Sequence, residues 1–126
     1  MVPKPRPLTR RELAALGKFG RLEITLEDLR QVLEEVLQFD FKGSERRLSS
    51  HFLVPSPGVR IEQEHVRRAM DKHAREEIST NQLADWATML LLNDAYDWEG
   101  PDEEKIATWL NEISMLTLKP KNGGEN

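Results

Sequence analysis

Hydrophobic positions along the chain fall into helical stripes, and most stripes are preceded by a start signal. The clearest runs from Ile78 to Leu92. Ser79 and Gln82 stand in the S-x-x-Q arrangement of a capping box, and Ile78 and Leu83 flank it as a hydrophobic staple. Leu83, Trp86, Ala87, Leu90 and Leu91 then recur at helical spacing, and Ala84, Met89 and Leu92 widen the apolar face until little polar circumference remains. A helix of that kind is covered on more than one side, so the pattern places it at the centre of the fold.

The same signal occurs twice upstream. Thr9 with Glu12, between Leu8 and Leu13, opens a short helix through Leu13, Leu16 and Phe19 that Gly17 and Gly20 weaken. Thr25 with Asp28, between Ile24 and Leu29, opens a helix with the stripe Leu29, Val32, Leu33, Val36 and Leu37, extended by Phe39 and Phe41 and ended by Gly43. From Glu62 the period is helical again, with Val66, Ala69, Met70 and His73 on one face. The tight corner at Glu77, Ile78 and Ser79 makes this helix an antiparallel neighbour of the central one. Pro101, Asp102, Glu103 and Glu104 open a last helix, with proline in the first turn, acids at the positive end of the dipole, and the stripe Ile106, Trp109, Leu110 and Ile113. Unequal intervals between the capping boxes argue for independent uses of one local solution and against a repeat array.

Residues 42–60 are the irregular part of the chain. The apolar run His51, Phe52, Leu53, Val54, the turn Pro55-Ser56-Pro57-Gly58 and the return Val59-Arg60-Ile61 predict a small β-hairpin over residues 51–61 that lies on the helices, with an irregular loop as the alternative. The predicted architecture is therefore mainly α, a compact bundle of about five helices in a single domain spanning 1–126. The alternation of proline and base in Pro3-Lys4-Pro5-Arg6-Pro7 makes residues 1–8 a flexible basic arm, and residues 119–126 a flexible tail.

Composition narrows the function. The absence of cysteine excludes disulfides, thiolate zinc sites and thiol catalysis, and agrees with a reducing interior. No run approaches the roughly 18 apolar residues of a membrane span, and the N-terminus has no apolar signal segment, so the expected location is the cytoplasm. A net charge of −4 argues against nucleic acid as a partner. The charge is uneven: residues 1–21 carry six basic side chains against Glu12 alone, whereas Asp94, Asp97, Glu99, Asp102, Glu103 and Glu104 lie together with no base among them.

Motifs for chemistry are weak. Glu62 and His65 form an E-x-x-H, the spacing of carboxylate-bridged metal bundles, but a second copy and further carboxylates are missing, and a solvated helix face is the better reading. His73 falls on an apolar stripe and is a half-buried packing residue. Ser49, Ser50 and His51 are adjacent, without the elbow that would aim a nucleophile at a base. A calcium loop set by Gly100 would put Ala95 and Ile106 at ligand positions, where neither side chain can bind. No catalytic residue, metal or cofactor is expected. What remains is a recognition surface: Tyr96 and Trp98 amid Asp94, Asp97, Glu99, Asp102 and Glu103 combine ring contact with carboxylates that steer a basic protein partner. The competing reading tucks both rings over the gap between two helices. An enzyme using Glu62 and His65, and a self-associating structural subunit such as a homodimer, are the alternative classes.

The run from Ile78 to Ala87, the acidic loop, and the run Ile106-Ala107-Thr108-Trp109-Leu110-Asn111-Glu112-Ile113-Ser114 loosely resemble small helical bacterial proteins, some grouped with toxin immunity proteins. The resemblance covers about the last 50 residues. It implies a non-enzymatic inhibitor that binds a toxin domain, and it carries over no site residue.

Overall fold

The computed structural model describes residues 4–42 and 45–117. In chain order the elements are α1 (Arg10–Gly20), α2 (Leu26–Val32), β1 (Leu37–Asp40), β2 (Arg47–Ser50), β3 (Val59–Arg60), α3 (Gln63–Ala74), α4 (Thr80–Leu92), β4 (Tyr96–Asp97) and α5 (Glu103–Ser114). The chain is mainly α. No helix among the described residues is long and apolar enough to cross a membrane.

The three capping boxes all form. Thr9 Oγ1 accepts from the Glu12 N–H at 3.1 Å, Thr25 Oγ1 from Asp28 N–H at 3.0 Å and Ser79 Oγ from Gln82 N–H at 3.1 Å, and each N3 side chain reaches back to its cap N–H. A fourth N-terminus, that of α3, uses the Glu62/His65 pair: the Glu62 N–H donates to His65 Nδ1 at 2.7 Å, so the imidazole takes the part usually played by Glu or Gln.

Helices α1 and α3 end alike. The N–H groups of Leu22 and Glu23 donate to the carbonyls of Phe19 and Lys18, and those of Glu76 and Glu77 to His73 and Lys72, which is the Schellman pattern. Leu22 and Glu76 hold the left-handed position at φ 58° and 62°, where glycine is usual. Lys18, Arg21, Glu23, Ile24, Thr25 and Leu29 recur as Lys72, Arg75, Glu77, Ile78, Ser79 and Leu83, so both helix pairs turn the same corner.

Helix α4 sits at the centre as its sequence predicts. Leu83, Ala84, Trp86, Ala87, Thr88, Met89 and Leu90 are buried, and its most extensive packing is against α5. Trp86 Nε1 donates to the Gly20 carbonyl at 3.1 Å, which ties α4 to the end of α1. Around it Leu16, Leu29, Leu33, Ile61, Ile106 and Leu110 complete the core, while Leu13 and Met70 lie outside it.

The region from Val32 to Ile61 corrects the sequence reading. α2 stops at Val32; Leu33 and Val36 form a turn, and Leu37 begins a strand whose side chains alternate buried and exposed. Gly43, the expected helix end, lies outside the described residues, as do residues 119–126 of the tail. No hairpin joins residues 51–54 to 59–61. Instead β1 pairs antiparallel with β2, Leu37 opposite Ser50, and β3 pairs parallel with β4, Val59 opposite Tyr96. The β3 to β4 approach is close enough that a Cβ on Gly58 would stand 2.7 Å from the Ala95 carbonyl oxygen, so that position requires glycine.

The basic arm is anchored at Arg6. Its backbone bridges Phe52, with the Leu53 N–H donating to the Arg6 carbonyl at 2.8 Å, and its guanidinium donates to both oxygens of the buried Glu12 at 2.9 and 2.8 Å. Within the arm expected to be flexible, these bonds hold the chain at Arg6; residues 1–3 lie outside the described residues.

Candidate functional site

The acidic stretch begins where α4 ends. Asn93, buried, caps the helix and turns the chain: its Oδ1 accepts from the Ala95 N–H at 3.0 Å, and its carbonyl accepts from the Tyr96 N–H at 3.1 Å. This turn sends Ala95 and Tyr96 inward. Tyr96 is only 5% exposed, and its hydroxyl donates to the Leu16 carbonyl at 2.7 Å. Burial pushes its phenol well above the ordinary value, so the ring stays neutral. Tyr96 therefore belongs to the core, and its expected place in the contact surface is corrected: the N–H and C=O pairing of β4 with β3 holds it against α1.

Trp98 is half-buried and packs on the core from its rim. Asp94 and Glu99 are exposed, and Asp97 lies at the edge of β4, where its Oδ1 accepts from the Glu99 N–H at 2.9 Å and shapes the turn. Gly100 follows at φ 140°, a conformation open to glycine. Asp102 then sits at the N-terminus of α5 without a side-chain capping bond, and Glu103 and Glu104 project from the first turn, where the helix dipole favours anions.

A cation absent from the stretch itself reaches it from β3. Arg60 Nε donates to Glu62 Oε2 at 3.0 Å, and its Nη1 lies 3.8 Å from Asp97 Oδ2. Nothing in the sequence links Arg60 to Asp97, because parallel pairing across α3 and α4 brings them together. Among the described residues, Asp94, Glu99, Asp102, Glu103 and Glu104 form no salt bridge. The stretch thus carries five carboxylates without a salt bridge among the described residues, in sequence on both sides of the half-buried Trp98, with Arg60 at Asp97. Asp102 and Glu104 share a groove with Lys105 and Trp109.

Two of the other candidates, His65 and His73, are engaged in local hydrogen bonds. His65 is engaged as a cap, and burial, reinforced by the Arg68 charge, lowers its pKa below the ordinary imidazole value. His73 Nε2 shares a 2.9 Å hydrogen bond with Thr80 Oγ1, across the corner between α3 and α4. Ser49 and Ser50 are exposed on β2. Among the described residues no three His, Asp or Glu side chains are grouped to hold a metal ion.

Sequence reasoning also missed Arg46. Its Nη1 donates to the Ser114 carbonyl at 2.7 Å and to Thr88 Oγ1, and its Nη2 donates to Thr117 Oγ1 at 2.6 Å, clasping the start of β2 to α4 and the end of α5. Nothing in Glu45-Arg46-Arg47 distinguishes the clasp from its neighbour. Asp85 lies within its field; burial raises the Asp85 carboxyl and Arg46 opposes the rise. Trp109, expected on the core stripe, is half-buried, with Lys105 Nζ 5.2 Å and the Arg67 guanidinium 5.9 Å from its ring centre.

No protein-family model, curated protein or solved structure matches this chain.

Proposed function

We propose that the chain is a non-enzymatic protein-binding domain of the toxin-immunity type, which blocks a basic bacterial toxin through the surface formed by Asp94, Asp97, Trp98, Glu99, Asp102 and Glu103. The observation that carries the reading is that Asp94, Glu99, Asp102 and Glu103 form no salt bridge among the described residues, in the same stretch of chain as Trp98, which packs on the rim of the core. Unpaired anions steer a cationic partner, and a ring already held by its own core contributes contact area with little ordering cost. The five helices, taken as a compact bundle, serve as the scaffold, and the loose resemblance of the C-terminal part to small helical bacterial proteins, some grouped with toxin immunity proteins, agrees with this use.

The test is co-expression with the product of the neighbouring gene. Restored growth, together with a co-purifying complex that the variant Glu99→Gln/Glu103→Gln weakens, is the expected result. A neighbour that is harmless alone and forms no complex with the chain would remove the immunity reading.

A further inference from the structure

The strand that follows the Arg46 clasp has one side fully used and, among the described residues, one side bare. The His51 N–H donates to the Val36 carbonyl at 2.7 Å, which fixes which residues of β2 face β1. Two groups on β1 agree with that parity: the Leu37 N–H turns away to the Leu33 carbonyl at 2.8 Å, and the Phe39 carbonyl turns away to Arg30 Nη1 at 3.0 Å. Their register partners Ser50 and Leu48 therefore also direct their N–H and C=O groups away from β1. Beyond Ser50 the Arg6 backbone takes over on the same side as β1, bonded to the His51 carbonyl and the Leu53 N–H. Among the described residues no strand lies on the opposite side from Arg47 to Leu53, and β2 packs substantially on β1 alone.

We propose that this bare edge pairs with the same edge of a second copy of the chain, antiparallel about a two-fold axis at Ser50. The outward-facing residues Leu48, Ser50 and Phe52 are symmetric about that point, so all three can bond at once in an isologous contact. The register opposes Arg47 to Leu53 of the other copy and puts no like charges face to face. Leu53 is 53% exposed, and the alkyl stem of Arg47 would cover it. Centring the axis on Leu48 or Phe52 leaves one end of the edge unpaired. Two strands alone are marginal in water, and the pairing turns β1–β2 into a four-stranded sheet. This edge and the acidic surface are separate, so either can fail without the other.

Sedimentation equilibrium of the full chain, over a range of concentrations, should approach twice the chain mass of 14.6 kDa. Ser50→Pro removes an outward N–H while fixing φ and holding Ser49 extended, as a strand residue already is, and should give a monomer with unchanged circular dichroism. Because the chain has no cysteine, Ser50→Cys supplies a second reading: opposed Cα atoms at about 5.5 Å allow a disulfide between copies, whereas Glu104→Cys should stay reduced under the same mild oxidation. A wild-type chain that is monomeric throughout and does not cross-link at Ser50→Cys overturns the proposal, as does a dimer that Ser50→Pro leaves intact. Slow exchange of the Leu48, Ser50 and Phe52 amides in a monomer would overturn it too, and assign the edge to a terminal segment of the chain itself.

Discussion

Tyr96 and Trp98 stand one residue apart and serve different ends. Tyr96 joins two distant parts of the chain through its bond to the Leu16 carbonyl, so Tyr96→Phe should lower stability by about 1 kcal/mol in urea unfolding while leaving partner affinity unchanged. Trp98 leans on the core with part of its ring outside, and Trp98→Ala should cost about 1–2 kcal/mol, below the roughly 3–5 typical of a fully buried ring, while weakening the complex. A stability loss in the higher range would place the indole inside the core and remove it from the contact surface.

His65 gives a pH signature at the same scale. Its Nδ1 must stay unprotonated to accept from Glu62, and burial lowers its pKa in the folded state. Its contribution is fully present above the ordinary imidazole value and is lost as pH falls through the lowered folded value, because the unfolded chain then binds the proton first. His65→Gln keeps a capping side chain at that position. The variant should match the wild type at pH 8 within about 0.5 kcal/mol and show a flatter decline in stability toward pH 5. An identical decline in both proteins would show that the cap does not couple to titration.

At the scale of elements, the starts of α1, α2 and α4 were legible because a capping box is a local code, satisfied by side chains three positions apart. α5 begins at Glu103, so Pro101, expected in its first turn, precedes the Asp102 cap, and the Glu62/His65 cap of α3 went unread. The strands were not legible. Leu37, Phe39 and Phe41 alternate as a strand requires, but Leu33, Val36 and Leu37 also continue a helical stripe, and the two periods overlap on the same residues. Only the pairing of Leu37 with Ser50 and the exposure of Gln38 and Asp40 decide between them. The partnership of β3 with β4 was less legible still, since it depends on α3 and α4 returning the chain to Val59, and the burial of Tyr96 follows from it. The two matching corners expose a local cost as well. Left-handed backbone at a non-glycine residue costs about 1–2 kcal/mol, while glycine gives back about 0.5–1 kcal/mol in chain entropy. Glu76 is exposed, so Glu76→Gly should be neutral to slightly stabilising in thermal melts, whereas Leu22→Gly, which strips a side chain packed on the core, should destabilise. Clear destabilisation by Glu76→Gly would mean that the Glu76 side chain, and not the backbone, sets the corner.

At the scale of the molecule, the acidic surface and the basic start of the chain are kept distinct. Arg6 is consumed by Glu12 and Glu35, and Arg21 by Glu23, whereas among the described residues the carboxylates from Asp94 to Glu104 have one salt bridge, between Asp97 and Arg60. If the field of those carboxylates governs association, changing it should alter the rate in both directions. Asp94→Asn/Glu99→Gln/Glu103→Gln removes charges that form no salt bridge, and should slow association with the cationic partner most at low salt, where the Debye length reaches about 30 Å at 0.01 M. Asp97 is better left in place, because its carboxylate holds the turn at Glu99 and pairs with Arg60. Arg60→Gln strengthens the field without adding an acid, and should speed association at the same low salt. Its exposed ion pairs contribute little to folding, so the melting temperature should scarcely move. Rates that change in opposite directions and converge as salt is raised would mark long-range attraction. If Arg60→Gln slows association instead, Arg60 contacts the partner directly, and the recognition surface extends across β3.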